Sequence, residues 1–303
     1  MGLRTWLGLK RKKAKPVNLS KPRKARANHV VDAGPDAPLL AVIGDFDHFT
    51  GSTLAAVLKG HWNMVPARDG EGDWLRAEAF IKWAPWSLYT LPAELRRRVP
   101  GRIINDTHFN CDKANVQAHA SSALGYDSRV DPTTHIGPCV AKSRRNAAHN
   151  GRVITCPIPA TDPDSVYEIL VDNRYGAAEV NDLRLVMILG EMPVAYIKYR
   201  PLDTRFADDN TRVTLTTPAA LFSPDELACC RAFAQSIGME YGELDILRDN
   251  GSGRIFIVDA NNTPCGPPPQ LTPEDREMTL STQRAVIERS FRRHCSGVAS
   301  TPA

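Results

Sequence analysis

The chain lacks a CxxC pair, a GxxxxGK[ST] phosphate loop and any apolar run near the roughly 20 residues needed to span a bilayer. The first absence, with seven scattered cysteines (Cys111, Cys139, Cys156, Cys229, Cys230, Cys265 and Cys295), argues against a zinc cluster and a disulfide framework, so a reducing cytoplasm is the expected compartment. The second rules out a Walker-type nucleotide site. No convincing Ser-His-Asp or Cys-His arrangement is present either, and His108, His119, His135 and His149 read as loop or substrate hydrogen-bonding residues. Positive charge is scarce outside the N-terminus: residues 1–26 hold ten of the 38 Lys and Arg and no acid, leaving 28 basic against 34 acidic residues, a body near −6. A body of that sign does not track phosphate backbones, so no nucleic acid is expected on it.

What is present is a soluble-type composition on 303 residues, enough for two or three lobes. The basic N-terminus has no 7–15 residue apolar core of a signal peptide, so removal by that route is not expected. Three readings of it stay open: a disordered tail, a contact with an anionic lipid or nucleic-acid surface, or part of the fold. A Gly-Pro linker at residues 33–38 leads to the apolar run 39–44, a buried-strand pattern, and residues 50–58 read as the start of a helix. Residues 79–81 and 102–105 suggest further strands. Asp45, Asp47 and His48 follow the first strand, where open α/β sheets bind ligands, although ordinary loop polarity explains them equally well.

In the middle of the chain, Asp112-Lys113 opens a helix that ends at Gly125, and residues 137–143 form a strand delivering Lys142 to a polar loop before a strand resumes at 152. Residues 166–171 read as a strand, and residues 182–200 as a hairpin turning at Gly190. Alternation puts Lys198 and Arg200 on one face with Arg184 on the partner strand, and three converging cations require an anion among them. Ser223-Pro224-Asp225-Glu226 is a capping box that starts a helix, and a last helix begins after Thr272. Residues 242–248 and 254–261 read as apolar strands joined by the turn 249–253. They bring Asp245, Asp259 and Asn261 together as hard oxygen ligands of the kind Mg²⁺ prefers; strand-end decoration is the alternative.

Taken in order, these residues resemble the ATP-grasp superfamily over roughly residues 105–268. Lys113 and Lys142 look like its two ATP lysines. Residues 168–171, with Glu168 and Leu170, look like the hinge that bonds adenine. Arg184 looks like its phosphate-contacting arginine, Arg200 like its catalytic arginine, and Asn210 like its substrate or phosphate asparagine, while Asp245, Asp259 and Asn261 match its metal ligands. Asp259 stands where a longer Glu is usual, and the loop after Lys142 keeps only Gly151. The resemblance implies an α/β protein with α+β lobes: a basic disordered tail and linker (1–36), a Rossmann-like N-terminal lobe (37–104), a two-lobed ATP-grasp body (105–270) and a C-terminal helix and tail (271–303). It further implies ATP and Mg²⁺ as cofactors, Lys198 as an additional nucleotide contact, and a ligase that joins a small-molecule or peptide carboxylate to an amine through an acylphosphate. An ATP-grasp-type kinase and a non-catalytic nucleotide-binding protein are the alternatives; the substrates and oligomeric state stay open.

Overall fold

The computed structural model describes residues 33–67, 72–108, 110–145, 148, 150–207 and 209–296. The basic tail therefore lies outside the described residues, as do His149, Asp208 and the end of the C-terminal segment. Among the described residues no helix is long and apolar enough to cross a membrane.

The first strand, β1 (Leu39–Gly44), is an unbroken apolar run whose residues Leu40 to Ile43 are wholly buried. It pairs in parallel with β2 (Asn63–Ala67) on one side and β3 (Ala79–Trp83) on the other. Short helices α1 (Phe46–Phe49), α2 (Thr53–Leu58) and α3 (Ala93–Arg98) connect and follow these strands. Ser52 caps α2 by accepting from the Ala55 N–H at 3.0 Å, which aims Leu54, Val57 and Leu58 into the core. Of the strand expected at 102–105, only an isolated bridge from Ile104 to Ile81 forms. The reason is Asn105, held at φ 63: its Oδ1 accepts from the N–H groups of Glu240 and Tyr241 and its Nδ2 donates to the Tyr241 carbonyl, so it clamps a distant strand instead of extending its own.

Gly44 ends β1 at φ 123, with the Trp83 carbonyl oxygen where a β-carbon would stand. Gly44→Ala is therefore expected to cost at least the ~1–2 kcal/mol of a left-handed L-residue plus a backbone clash, read as a fall in the urea midpoint at unchanged slope.

Helix α4 (Lys113–Leu124) runs between an Asp112 cap that accepts from Ala114 N–H and a left-handed Gly125. A small antiparallel sheet follows, β4 (Gly137–Ser143), β5 (Arg152–Cys156) and β6 (Ser165–Ile169), in the order β5-β4-β6. The remaining strands are β7 (Arg174–Tyr175), β8 (Glu179–Ile188), β9 (Ala195–Pro201), β10 (Arg212–Thr216), β11 (Tyr241–Arg248) and β12 (Ile255–Asn261). They build a six-stranded antiparallel sheet ordered β10-β9-β8-β11-β12, with β7 also on β8. Between β10 and β11 lie α5 (Pro218–Leu221) and α6 (Pro224–Ser236), the latter opened by the Ser223/Glu226 capping box, and α7 (Pro273–Cys295) closes the described chain.

Strand alternation divides the large sheet into two faces. Leu183, Leu185, Leu244 and Ile246 pack with Val116 of α4 and Phe233 of α6. On the opposite face, Val186, Tyr196 and Tyr241 join the core of the N-terminal sheet, into which α7 inserts Val286, Ile287 and Phe291. Helix α7 thus ties the two ends of the described chain together, its Thr279 hydroxyl 2.6 Å from the Tyr196 hydroxyl.

His108, 2 % exposed, lies between Lys82 of β3 and the end of α6, with Nδ1 2.9 Å from the Ile237 carbonyl, and burial lowers its pKa to about 4. A depressed histidine contributes stability that is complete above the unfolded value near 6.5 and is lost as pH falls through about 4. Between those limits we expect a loss of about 3 kcal/mol, flattened in a His108→Gln variant, in urea melts at pH 7 and pH 4.5.

Candidate nucleotide cleft

The charged side chains continue the second face of the large sheet beyond its apolar half. Along β8 the alternating residues are Asp182 and Arg184, along β9 Lys198 and Arg200, and along β11 Glu243 and Asp245; register sets Arg184 beside Asp245 and Asp245 beside Asp259. Across from this face stands the small sheet with Lys142, and Lys113 enters from the first turn of α4. Together they enclose a cleft of about 170 Å³.

The anion that the converging cations require is supplied by the protein itself. Arg184 grips Asp245 with Nε and Nη2 at 2.9 and 3.1 Å and reaches Glu243 with Nη1 at 2.9 Å. Lys198 donates to Asp245 at 2.8 Å, and Arg200 pairs with Asp182 at 2.7 Å. Burial opposes ionisation of Asp245, but Arg184 and Lys198 outweigh it and hold its carboxyl well below the usual carboxylate range. Glu243, 2 % exposed, goes the other way: burial pushes its carboxyl up and Arg184 only moderates the rise.

The two lysines bridge the walls. Lys142 pairs with Glu168 at 2.6 Å and donates to the Val258 carbonyl at 3.1 Å. That carbonyl belongs to a bulge, since the register passes from Asp245–Asp259 to Ile246–Ile257 and skips Val258. Lys113 donates to Asp259 at 3.3 Å. Glu168 also accepts from Gln117 at 2.9 Å, so its side chain is fully engaged.

Eight residues singled out in the sequence meet in this cleft: Lys113, Lys142, Glu168, Arg184, Lys198, Arg200, Asp245 and Asp259. Three are not in its lining. Leu170 is half-buried just past the end of β6, Asn210 lies in the β9–β10 connection with its carbonyl accepting from Gln270, and Asn261 turns its Oδ1 to the Thr263 N–H at 3.0 Å. Asn173 and Arg205 also line the cleft without having been singled out, and Glu243 lies buried beside Arg184, outside the lining. Glu243 was legible, because a residue two before Asp245 on a strand shares its face. Arg205 and Asn173 carried no such signal, since both lie outside regular elements.

Among the described residues no three acids, cysteines or histidines cluster as a ready-made metal cage. The donor set nevertheless suits Mg²⁺, which is typically held by one or two carboxylates and completed by phosphate oxygens: Asp245 and Asp259 are cross-strand neighbours, and Asn261 pairs one step along with Glu243. Both carboxylates are engaged by Lys113, Arg184 and Lys198.

The two facing sheets with a charged cleft between them superpose on solved ATP-grasp ligases, and the fold is the ATP-grasp fold. No family model and no curated protein sequence matches the chain. Solved structures do. D-alanine–D-alanine ligase from Bacillus anthracis superposes with a TM-score of 0.51 at 12% identity, over 85% of this chain and 98% of that one. VanG D-Ala:D-Ser ligase from Enterococcus faecalis gives 0.53 at 9% identity, over 84% and 99%. The ATP-grasp ligase PsnB, complexed with a minimal precursor, gives 0.50 at 13%, over 84% and 100%. At these identities the likeness is one of fold.

Proposed function

We propose that the chain is an ATP- and Mg²⁺-dependent ligase that joins a carboxylate to an amine through an acylphosphate. The observation that carries this reading is the convergence of Lys113 and Lys142 on the wall that bears Asp245 and Asp259, with Arg184, Lys198 and Arg200 on the same sheet face. The three solved structures described above are ligases, which supports the same class.

A carboxylate is a poor acyl donor because oxide is its leaving group, so phosphorylation must precede attack by the amine. In this reading Lys113 and Lys142 leave their carboxylates for phosphate oxygens, and Asp245, Asp259 and Asn261 hold the metal. Magnesium, when bound, supplies charge neutralisation along the phosphates. Arg200, with Arg184 or Lys198, faces the charge that develops on the transferred phosphoryl group and on the tetrahedral oxyanion. Asn210 is assigned to substrate or phosphate contact and Glu168 and Leu170 to the adenine hinge. Substrates are a small-molecule or peptide carboxylate and an amine.

Hydroxylamine tests the reaction. With ATP, Mg²⁺ and a panel of carboxylic acids, a ligase of this type yields a hydroxamate together with ADP. ADP formed with a stable phosphate ester and no hydroxamate would identify a kinase instead.

A further inference from the structure

The cleft holds a piece of the protein. At about 170 Å³ it falls below the ~300–1,000 Å³ of sites that take drug-sized ligands, and a nucleoside triphosphate is of that size. Part of its wall comes from the β9–β10 connection, through Arg205 and Phe206. Arg205 Nη2 donates to the Val171 carbonyl at 3.1 Å and to Asn173 Oδ1 at 2.6 Å, just past the end of β6. Phe206 lies against Gly151 at the far end of the β4–β5 loop, so close that a β-carbon on Gly151 would come within 2.7 Å of the ring. The guanidinium of Arg205 stands 5.5 Å from the centre of that ring.

Arg200 holds this segment in place. Its Nη1 donates to the carbonyls of Arg205 and Ala207 at 3.1 and 2.9 Å while Nη2 keeps Asp182. The arginine expected to meet the transferred phosphoryl group is therefore spent on the backbone of the segment that fills the site. Val171 O and Asn173 Oδ1 are acceptors, and the N–H groups of Arg205 satisfy them as the exocyclic amine of a purine would.

We infer that Arg205 and Phe206 form an autoinhibitory plug that occupies the base end of the nucleotide cleft, and that nucleotide entry expels them and frees Arg200 together. The inference rests on the proposed nucleotide reading. Its sign is opposite to simple electrostatics: deleting a cation beside a bound polyanion ordinarily weakens binding, whereas deleting a competitor strengthens it. If the plugged state holds about nine molecules in ten, apparent affinity is reduced about tenfold, since the dissociation constant scales inversely with the open fraction.

The test is calorimetric titration of full-length wild type, Arg205→Ala and Phe206→Ala with Mg²⁺-ATP and, separately, with inorganic tripolyphosphate, which has no base. The expected result is ATP binding about tenfold tighter in both variants, with a smaller gain for tripolyphosphate, which profits from a freed Arg200 but does not use the base end. ATP binding equal to or weaker than wild type in both variants would overturn the plug and make the segment a lid that contacts nucleotide, with the nucleotide site itself intact. Binding seen only in the variants would support the plug in its strongest form. Absence of ATP binding in all three folded proteins would overturn the nucleotide reading, and the plug with it.

Discussion

Arg184→Met is expected to lower stability by about 3–5 kcal/mol, the cost of breaking a buried ion pair and stranding its partner. Arg184 makes three contacts at 2.9 to 3.1 Å with Glu243 and Asp245, and its side chain is only 18% exposed. Lys198 still serves Asp245 in the variant, but Glu243 loses its cation on a strand where it is 2 % exposed. Burial already raises the Glu243 carboxyl, so without Arg184 it titrates higher still. The loss should accordingly be larger at pH 8 than at pH 5, because a group raised in the folded state contributes most below its unfolded value. Adding Glu243→Gln should restore part of it. Urea melts of the single and double variants check this, and a loss under about 1 kcal/mol, the range of exposed pairs, would mean the network is solvated.

Asp259→Ala and Lys142→Met are each expected to reduce ATP-dependent turnover by about 10²–10³-fold, the usual effect of removing one group that meets developing charge. The two variants differ in what else they disturb. Asp259 has a side chain 26% exposed and accepts from Lys113 at 3.3 Å and from the Ala260 N–H at 3.1 Å, so its loss also unpairs Lys113 and its melting temperature is measured beside its turnover. Lys142 pairs with the buried Glu168 at 2.6 Å, and removing it leaves an uncompensated carboxylate; pairing Lys142→Met with Glu168→Gln separates stability from chemistry. ADP release measured on the double variant should stay low while its melting temperature recovers. Turnover within tenfold of wild type in Asp259→Ala would remove this carboxylate from the site.

The elements most legible in the sequence were those with local physical signatures. Asp112 and Gly125 bracket α4, Ser223 and Glu226 cap α6, and the unbroken apolar run 39–44 became the central strand of a parallel sheet. The hairpin carrying Asp245 and Asp259 followed from alternation and its glycine-rich turn. Illegible features depended on contacts remote in sequence. Residues 102–105 carry a strand pattern, yet Asn105 is used to clamp Glu240 and Tyr241, some 135 residues away. Asn261 shares the strand alternation of Asp259, but its side chain closes a local turn at Thr263. The cation cluster was readable as a demand for an anion. That the anion would be Glu243, Asp245 and Asp182 required the register of three strands, and the occupation of the hinge by Arg205 required the path of a loop that has no periodicity at all.

Joint binding of nucleotide and metal in the cleft is read most directly from the melting temperature of the wild-type protein with Mg²⁺ alone, ATP alone and both. Because Lys113, Arg184 and Lys198 already neutralise Asp245 and Asp259, Mg²⁺ alone should leave the midpoint unchanged. Mg²⁺ with ATP should raise it, by a stabilisation of about 2.7 kcal/mol at a hundredfold excess over Kd. A folded protein whose midpoint is indifferent to Mg²⁺-ATP would contradict the account.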